Sequence, residues 1–114
     1  MTPMDDRNTV LQTLRKKIAA FQAERGWLEW HNARNLAISV TLEAAELLEI
    51  FQWCDNAEAD RLAQETEREH FREELADVLI YCLSLANACD VDVTTAILEK
   101  LDKNAVKYPA REKQ

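Results

Sequence analysis

Apolar residues recur every three or four positions in four separate segments of the chain, which is the spacing of one face of an α-helix. The first such stripe is made by Val10, Leu11, Leu14, Ile18 and Phe21. We expect the first helix to begin near Asp5 or Asp6, because an aspartate side chain can accept a hydrogen bond from the first turn, and to run to about Glu24. The next segment, RGWLEWHN (25–32), places two tryptophans and a histidine in a predicted loop.

Three more helices complete the predicted fold. They run from the cap residue Asn32 to about Trp53, from about Glu65 to Ala88, and from a cap at Asp92 or Thr94 to Tyr108. The last helix is expected to end there because Pro109 pushes the residue before it out of helical geometry. The segment CDNAEAD (54–60) is predicted to be the connection between the second and third helices.

Turn-forming residues are scarce, with one glycine and two prolines in 114 residues. Sheet proteins need many turns, so this scarcity favours a few long helices and an all-α fold. The length suits a single domain that covers residues 1–114. We therefore predict a bundle of four helices in one domain.

The formal net charge of −7 disfavours nucleic acid as a partner, because binding to phosphate backbones needs clustered Lys and Arg. The first ten residues lack a basic segment followed by an apolar one, so we expect no signal peptide. The longest apolar run, residues 78–85, is too short for a membrane span, and a cytoplasmic location follows as the default. Cys82 and Cys89 are expected to be buried thiols on an apolar helix.

Two pairs of acidic residues fall on faces of the second and third helices where a core is expected. On a helical wheel, Glu43 lies between Ile50 and Leu36, and Glu46 lies beside Leu42. On the third helix, Glu74 and Asp77 line up with Tyr81 and Ser84. A buried carboxylate is costly unless something pairs with it, and these helices offer few cations at matching positions.

A divalent metal ion would neutralise four converging carboxylates. Glu43, Glu46, Glu74 and Asp77 are hard oxygen ligands with no His or Cys beside them, which favours Mg²⁺, with Mn²⁺ as the alternative, over zinc or iron. The competing interpretation is an ordinary solvated face, since Glu at positions i and i+3 is common on exposed helices. Spacing alone leaves both interpretations open.

The order E-x-x-E at Glu43–Glu46 and E-x-x-D at Glu74–Asp77, separated by 27 residues, resembles the MazG-like all-α nucleoside triphosphate pyrophosphohydrolases. The segments ERGWLEWHNARNL, ELLEIFQW, EELADVLIY and KLDKNAVKYP resemble the dCTP pyrophosphatase branch of that family. The resemblance extends from about Glu24 to Pro109 and implies a MazG-like four-helix bundle that is completed by oligomerisation.

The resemblance also implies roles for individual residues. Glu43, Glu46, Glu74 and Asp77 would be the metal ligands, and either Glu46 or Glu49 would act as the general base. The base of the nucleotide would be bound by Trp27, His31, Trp53 and Tyr81. The phosphates would be bound by Lys100, Asn104, Lys107 and Tyr108, of which the first three share one face of the last helix; a solvated basic face near a helix C-terminus is the alternative.

The implied reaction is Mg²⁺-dependent hydrolysis of a nucleoside triphosphate to a nucleoside monophosphate and pyrophosphate. The implied substrate is dCTP or a modified dCTP, and the alternatives are dUTP, dATP or a broad set of deoxynucleotides. A different class of function, a non-enzymatic acidic helical interaction module, predicts that Glu43 and Glu46 are exposed. Because the second and third helices carry more apolar surface than a monomer can cover, we expect a homo-oligomer, a tetramer built as two dimers, with sites shared between subunits.

Overall fold

The computed structural model describes residues 2–111, and every regular element in that range is helical. The helices are α1 (Leu11–Glu24), α2 (Ala33–Glu49), α3 (Asn56–Arg61), α4 (Arg68–Ala88) and α5 (Val93–Lys107). A 3-10 turn (Trp27–Trp30) links α1 to α2, and a π-helical segment (Leu62–Thr66) links α3 to α4. The predicted all-α fold is confirmed.

The prediction of four helices is wrong in one place, because the expected connection 54–60 folds mainly as the short helix α3. Asp55 starts α3 by accepting a hydrogen bond from the main-chain nitrogen of Glu58 at 3.0 Å. Six residues are too few to show an apolar periodicity, so the local capping interaction decides the conformation there. The π-helical segment after α3 delays the start of α4 from the predicted Glu65 to Arg68.

Two predicted helix ends also shift. α1 begins at Leu11 because Asp5 caps a separate turn, where its carboxylate accepts from the main-chain nitrogens of Arg7 at 2.9 Å and Asn8 at 3.2 Å. α2 ends at Glu49, and the residues up to Trp53 form turns.

The predicted caps of α2 and α5 are confirmed. Asn32 accepts from the main-chain nitrogen of Asn35 at 2.8 Å, and Asp92 accepts from that of Thr95 at 2.9 Å. Gly26 follows α1 with a φ angle of 70°, a left-handed conformation that side chains disfavour. This glycine ends α1 and directs the chain into the turn that carries Trp27.

The centre of the fold is the pair α2 and α4, against which α1 packs through α4. Leu36 of α2 and Ala86 of α4 are the buried apolar residues of the described range. Two polar contacts join α1 to α4: Gln22 donates to Ser84 at 2.7 Å, and Arg15 Nε donates to Asn87 at 2.8 Å.

Helix α5 leaves the end of α4 across a bend of 102° and carries apolar side chains that stay exposed. Ile97, Leu98 and Leu101 are each more than half exposed. The radius of gyration is 17.2 Å, whereas a compact chain of this length has about 13 Å. Within residues 2–111, no single helix combines the length and the apolar character needed to cross a membrane. Helices α4 and α5 meet these two criteria only when they are taken together, across the bend between them.

The outward face of α4 is apolar, which contradicts one expectation about the cysteines. Leu79 is 53 % exposed, and Leu75 and Cys82 on the same face are exposed as well. Cys89, which follows the helix, is also exposed, so neither thiol is buried within one chain. Glu74 and Asp77 of the same helix are instead half-buried, although they are acidic.

Candidate active site

Three carboxylates converge between α2 and α4. Glu43 and Glu46 stand one turn apart on α2, and Glu74 faces them from α4. One carboxylate oxygen from each residue lies within 4.8 Å of the other two. Glu43 and Glu74 are half-buried, and Glu46 is exposed.

The burial of this cluster is partly as predicted. Glu43 is half-buried, as predicted, but Glu46 is exposed, and so is its neighbour Leu42, which is 60 % exposed. The interaction-module alternative required both side chains of the pair to be exposed, and the burial of Glu43 goes against it.

Two oxygens of the cluster are enclosed without a hydrogen-bond partner among the described residues: Oε2 of Glu43 and Oε2 of Glu74. An enclosed oxygen without a partner is costly, so the arrangement suits a bound cation or a protonated carboxyl. Burial raises the pKa of the Glu43 carboxyl above its ordinary 4.5, and the charge of Glu46 raises it further. Burial and the charge of Glu46 likewise raise the pKa of Glu74. Such a set of hard oxygen donors fits Mg²⁺ or Mn²⁺.

Asp77, the fourth predicted ligand, stands beside the three converging oxygens and not among them. Its negative charge contributes to the raised pKa values of both Glu43 and Glu74, so the four carboxyls share one electrostatic environment. Glu49, the alternative general base, is exposed at the end of α2 and lies outside the cluster.

His70, which the sequence suggests is a structural or surface residue, contacts this site. Its Nε2 atom lies 3.4 Å from Oε1 of Glu74, and its Nδ1 atom lies 3.3 Å from Oε2 of Glu67. The positive charge of a protonated His70 lowers the pKa of Glu74, opposing the effect of burial. A histidine four residues before a predicted ligand on the same helix was the available signal.

A cleft of about 520 Å³ adjoins the acidic cluster and contains two of the predicted base-binding residues. Trp27 and Tyr81 line it together with Glu43 and Asp77, and α1 contributes Lys17, Ile18, Phe21 and Gln22. Trp27 is held edge-on against Phe21, with ring centroids 5.7 Å apart. The cleft thus combines a largely apolar wall, which includes Trp27 and Tyr81, with the carboxylates of Glu43 and Asp77, as an amphipathic ligand requires.

His31 lines a neighbouring cavity of about 260 Å³ that shares Trp27 and Tyr81 with the larger cleft. The structure therefore brings three of the four predicted base-binding residues together. Trp53 is not among them: it is 90 % exposed in the turns after α2 and lines neither cavity.

The predicted phosphate-binding residues are not brought to the cleft within one chain. Lys100, Asn104, Lys107 and Tyr108 lie on or directly after α5, and none of them lines the cleft. Lys107 Nζ instead lies 5.3 Å from the ring centroid of Tyr108.

The chain is similar to known proteins in both sequence and fold. A model of the MazG-like family matches residues 38–114. The chain is 44 % identical over 100 residues to dCTP pyrophosphatase 1 of Rattus norvegicus and 43 % identical over 101 residues to the Homo sapiens protein of that name. These alignments cover 87 % and 88 % of this chain and 59 % of each relative, so the chain spans only part of their length.

A solved structure is similar along almost the whole chain. It is a pyrophosphatase from Archaeoglobus fulgidus with a TM-score of 0.82 and 35 % sequence identity, and the match covers 96 % of this chain and 99 % of that one. The family model and this structural match agree with the helical fold. The chain belongs to the MazG-like family.

Proposed function

We propose that this MazG-like protein hydrolyses deoxynucleoside triphosphates, preferentially dCTP or a modified dCTP, to the monophosphate and pyrophosphate with Mg²⁺ as cofactor. The observation that carries the proposal is the convergence of Glu43, Glu46 and Glu74 within 4.8 Å at the end of an aromatic cleft. The relatives called dCTP pyrophosphatase 1 and the A. fulgidus pyrophosphatase support the same reaction.

Glu43 and Glu74 would hold the metal through their enclosed Oε2 atoms, which otherwise lack a partner among the described residues. Glu46 and Asp77 complete the proposed ligand set. A bound Mg²⁺ would screen the charge of the phosphates and increase the acidity of a coordinated water. Mn²⁺ would suit the same oxygens.

A general base must lie within hydrogen-bond reach of the water it deprotonates. Glu46 is the better of the two candidates, because it belongs to the cluster and is exposed to solvent, so that one of its two carboxylate oxygens could accept the proton while the other binds the metal. Glu49 lies one turn farther along α2 and would act only if the water were bound beyond the cluster.

The base of the substrate would lie in the cleft between Trp27 and Tyr81, with His31 and Trp53 as further contacts. An aromatic wall suits a flat nucleobase, and stacking is worth about 1–3 kcal/mol per base. Lys100, Asn104, Lys107 and Tyr108 would bind the phosphates. Since α5 of the same chain projects away from its own cleft, we propose that a neighbouring subunit supplies these groups.

The exposed apolar surface supports this shared site. Apolar side chains of α5 and of the outward face of α4 are left uncovered, and the radius of gyration of 17.2 Å is large for the length. A homo-oligomer, a tetramer built as two dimers, would cover these surfaces and bring α5 of one subunit to the cleft of another.

A panel of nucleoside triphosphates tests the proposal. The purified protein is incubated with each triphosphate in Mg²⁺, and pyrophosphate and orthophosphate are measured separately. We expect pyrophosphate and the monophosphate from dCTP, with weaker cleavage of dUTP and dATP. Release of orthophosphate alone, or no cleavage of any triphosphate, would contradict the proposal.

A further inference from the structure

Gln22 is a polar residue buried at the wall of the cleft, and it stands on the apolar stripe of α1, four residues after Ile18. It is 3 % exposed, and its Nε2 atom donates a hydrogen bond to Oγ of Ser84 at 2.7 Å. Ser84 is 1 % exposed and donates its own proton to the carbonyl oxygen of Ile80 at 2.8 Å. Since a hydroxyl has one proton, Ser84 accepts from Gln22 as long as it donates to Ile80, and this favours the orientation in which Nε2 of the amide faces α4.

The other end of the amide is available to a ligand. No hydrogen bond within the described residues reaches Oε1 of Gln22, yet this oxygen is not among the enclosed atoms without a partner, which are Glu43 Oε2 and Glu74 Oε2. Oε1 is therefore not completely enclosed, and Gln22 lines the cleft that also contains Trp27 and Tyr81. The carbonyl oxygen and the second amide hydrogen remain free beside the proposed base-binding wall.

We infer that Gln22, oriented by Ser84, recognises the hydrogen-bonding edge of the base and selects cytosine over uracil. This inference rests on the proposed function and names the group that would determine its substrate. An amide held in one orientation accepts from an exocyclic amino group and donates to an unprotonated ring nitrogen. Cytosine carries an exocyclic amino group beside an unprotonated ring nitrogen, as adenine does. An amide that pairs with both groups can distinguish these bases from bases with a different edge.

Uracil and thymine present the opposite pattern, a carbonyl oxygen beside a protonated ring nitrogen. To pair with them, the amide would have to turn through half a rotation. That rotation would break the bond from Nε2 to Ser84, and Ser84 would have to give up its bond to the Ile80 carbonyl in order to donate to Oε1 instead. The selectivity therefore resides in Ser84 as much as in Gln22.

The test compares kcat/KM for dCTP and dUTP, which are similar in size and differ at the base edge that Gln22 would read. Two variants act in different ways. Gln22→Met keeps the length of the side chain and removes both polar ends, so it should lower kcat/KM for dCTP by roughly 5- to 150-fold with a smaller effect on dUTP. Ser84→Ala frees the amide to turn, so it should raise kcat/KM for dUTP and change that for dCTP less.

A matched control is available in Asn87→Ala. Asn87 also links α4 to α1, through Arg15, but it does not line the cleft. Thermal unfolding of all proteins is recorded alongside, and Asn87→Ala should lower stability without changing the ratio of kcat/KM for dCTP to that for dUTP.

The inference is supported if the ratio of kcat/KM for dCTP to that for dUTP is well above one in the wild type. This ratio must also fall in both Gln22→Met and Ser84→Ala and stay unchanged in Asn87→Ala. A ratio near one in the wild type, an unchanged ratio in either Gln22→Met or Ser84→Ala, or an equal fall in Asn87→Ala would overturn it and leave the proposed function standing. If the wild type cleaves no triphosphate, the proposed function fails, and the inference fails with it. Should Gln22→Met not fold, Ser84→Ala decides the inference alone.

Discussion

Replacing Glu43 with glutamine should make the metal-free protein more stable than the wild type and the Mg²⁺-bound protein less stable. Glutamine keeps the shape of the side chain and removes its charge. In the wild type, carboxylate oxygens of Glu43 and Glu46 lie within 4.8 Å of each other. Without a cation, this repulsion and the partial burial of Glu43 both oppose folding.

The distance sets the size of the effect. Two unit charges 4.8 Å apart repel by about 3.5 kcal/mol at an effective dielectric constant of about 20 and by about 0.9 kcal/mol at that of water. Because Glu46 is exposed, solvent screens the pair, and we take the lower end, about 1 kcal/mol. That gain in the free energy of unfolding corresponds to a midpoint about 4 °C higher for a domain of this size.

Metal binding should reverse the order. Magnesium at about 100 times its dissociation constant stabilises a folded protein by about 2.7 kcal/mol, and a variant that lacks one ligand should gain much less. The assay is thermal unfolding at neutral pH and fixed protein concentration, in EDTA and in Mg²⁺. Glu73→Gln is the matched control, since Glu73 is exposed and adjacent to Glu74 on α4, and it should stay within about 0.5 kcal/mol of the wild type in both. A Glu43→Gln protein that is less stable in EDTA, or that keeps the full response to Mg²⁺, would refute the reasoning.

Three further predictions concern pH, a helix cap and the shared site. Because the folded pKa values of Glu43 and Glu74 are raised above 4.5, the metal-free folded state binds protons more tightly than the unfolded state. The stability advantage of Glu43→Gln over the wild type in EDTA should therefore grow as pH rises from 4.5 through the raised pKa of Glu43. Urea unfolding measures this advantage at each pH. An advantage that stays constant across the range would contradict a raised pKa for Glu43. Asp92→Ala should lower the free energy of unfolding by about 1 kcal/mol through loss of the α5 cap. Hydrogen bonds from Thr95 lower the pKa of Asp92 below 3.8. The loss of stability in Asp92→Ala should therefore be complete above pH 3.8 and shrink as pH falls through the folded pKa of Asp92. If urea unfolding shows no loss of stability, Asp92 does not stabilise α5 as a cap. Glu43→Gln and Lys100→Ala should each be inactive alone, and refolding them together should restore activity if α5 of one subunit completes the cleft of another; an inactive mixture would mean that the site is not shared in this way.

The sequence predicts the helical fold well because its signals are local. Asn32 and Asp92 act as helix caps, as predicted, because each side-chain oxygen accepts a hydrogen bond from the main-chain nitrogen three residues later. The same local chemistry works against prediction when elements are short. Asp55 starts a helix inside an expected connection, and Asp5 closes a turn where the start of α1 is expected.

For the candidate site, the sequence predicts only which face of its own helix each residue occupies. Periodicity places Glu43 and Glu74 on inward faces, but it does not say which helix each face meets. The exposure of Glu46, the contact of His70 with Glu74 and the bond between Gln22 and Ser84 all depend on packing between helices or on the rotamers that packing permits. The position of α5 does not follow from its own sequence pattern, because its apolar residues find little cover within the chain.

The central claim is that Glu43, Glu46 and Glu74 form a metal site for the triphosphate of a nucleotide. The most direct measurement is anomalous diffraction from crystals grown with Mn²⁺ and a non-hydrolysable dCTP analogue. We predict a manganese peak about 2.2 Å from carboxylate oxygens of these three residues, in contact with phosphate oxygens of the analogue. An analogue bound with no metal among the three carboxylates, or manganese bound only elsewhere on the protein, would contradict the account.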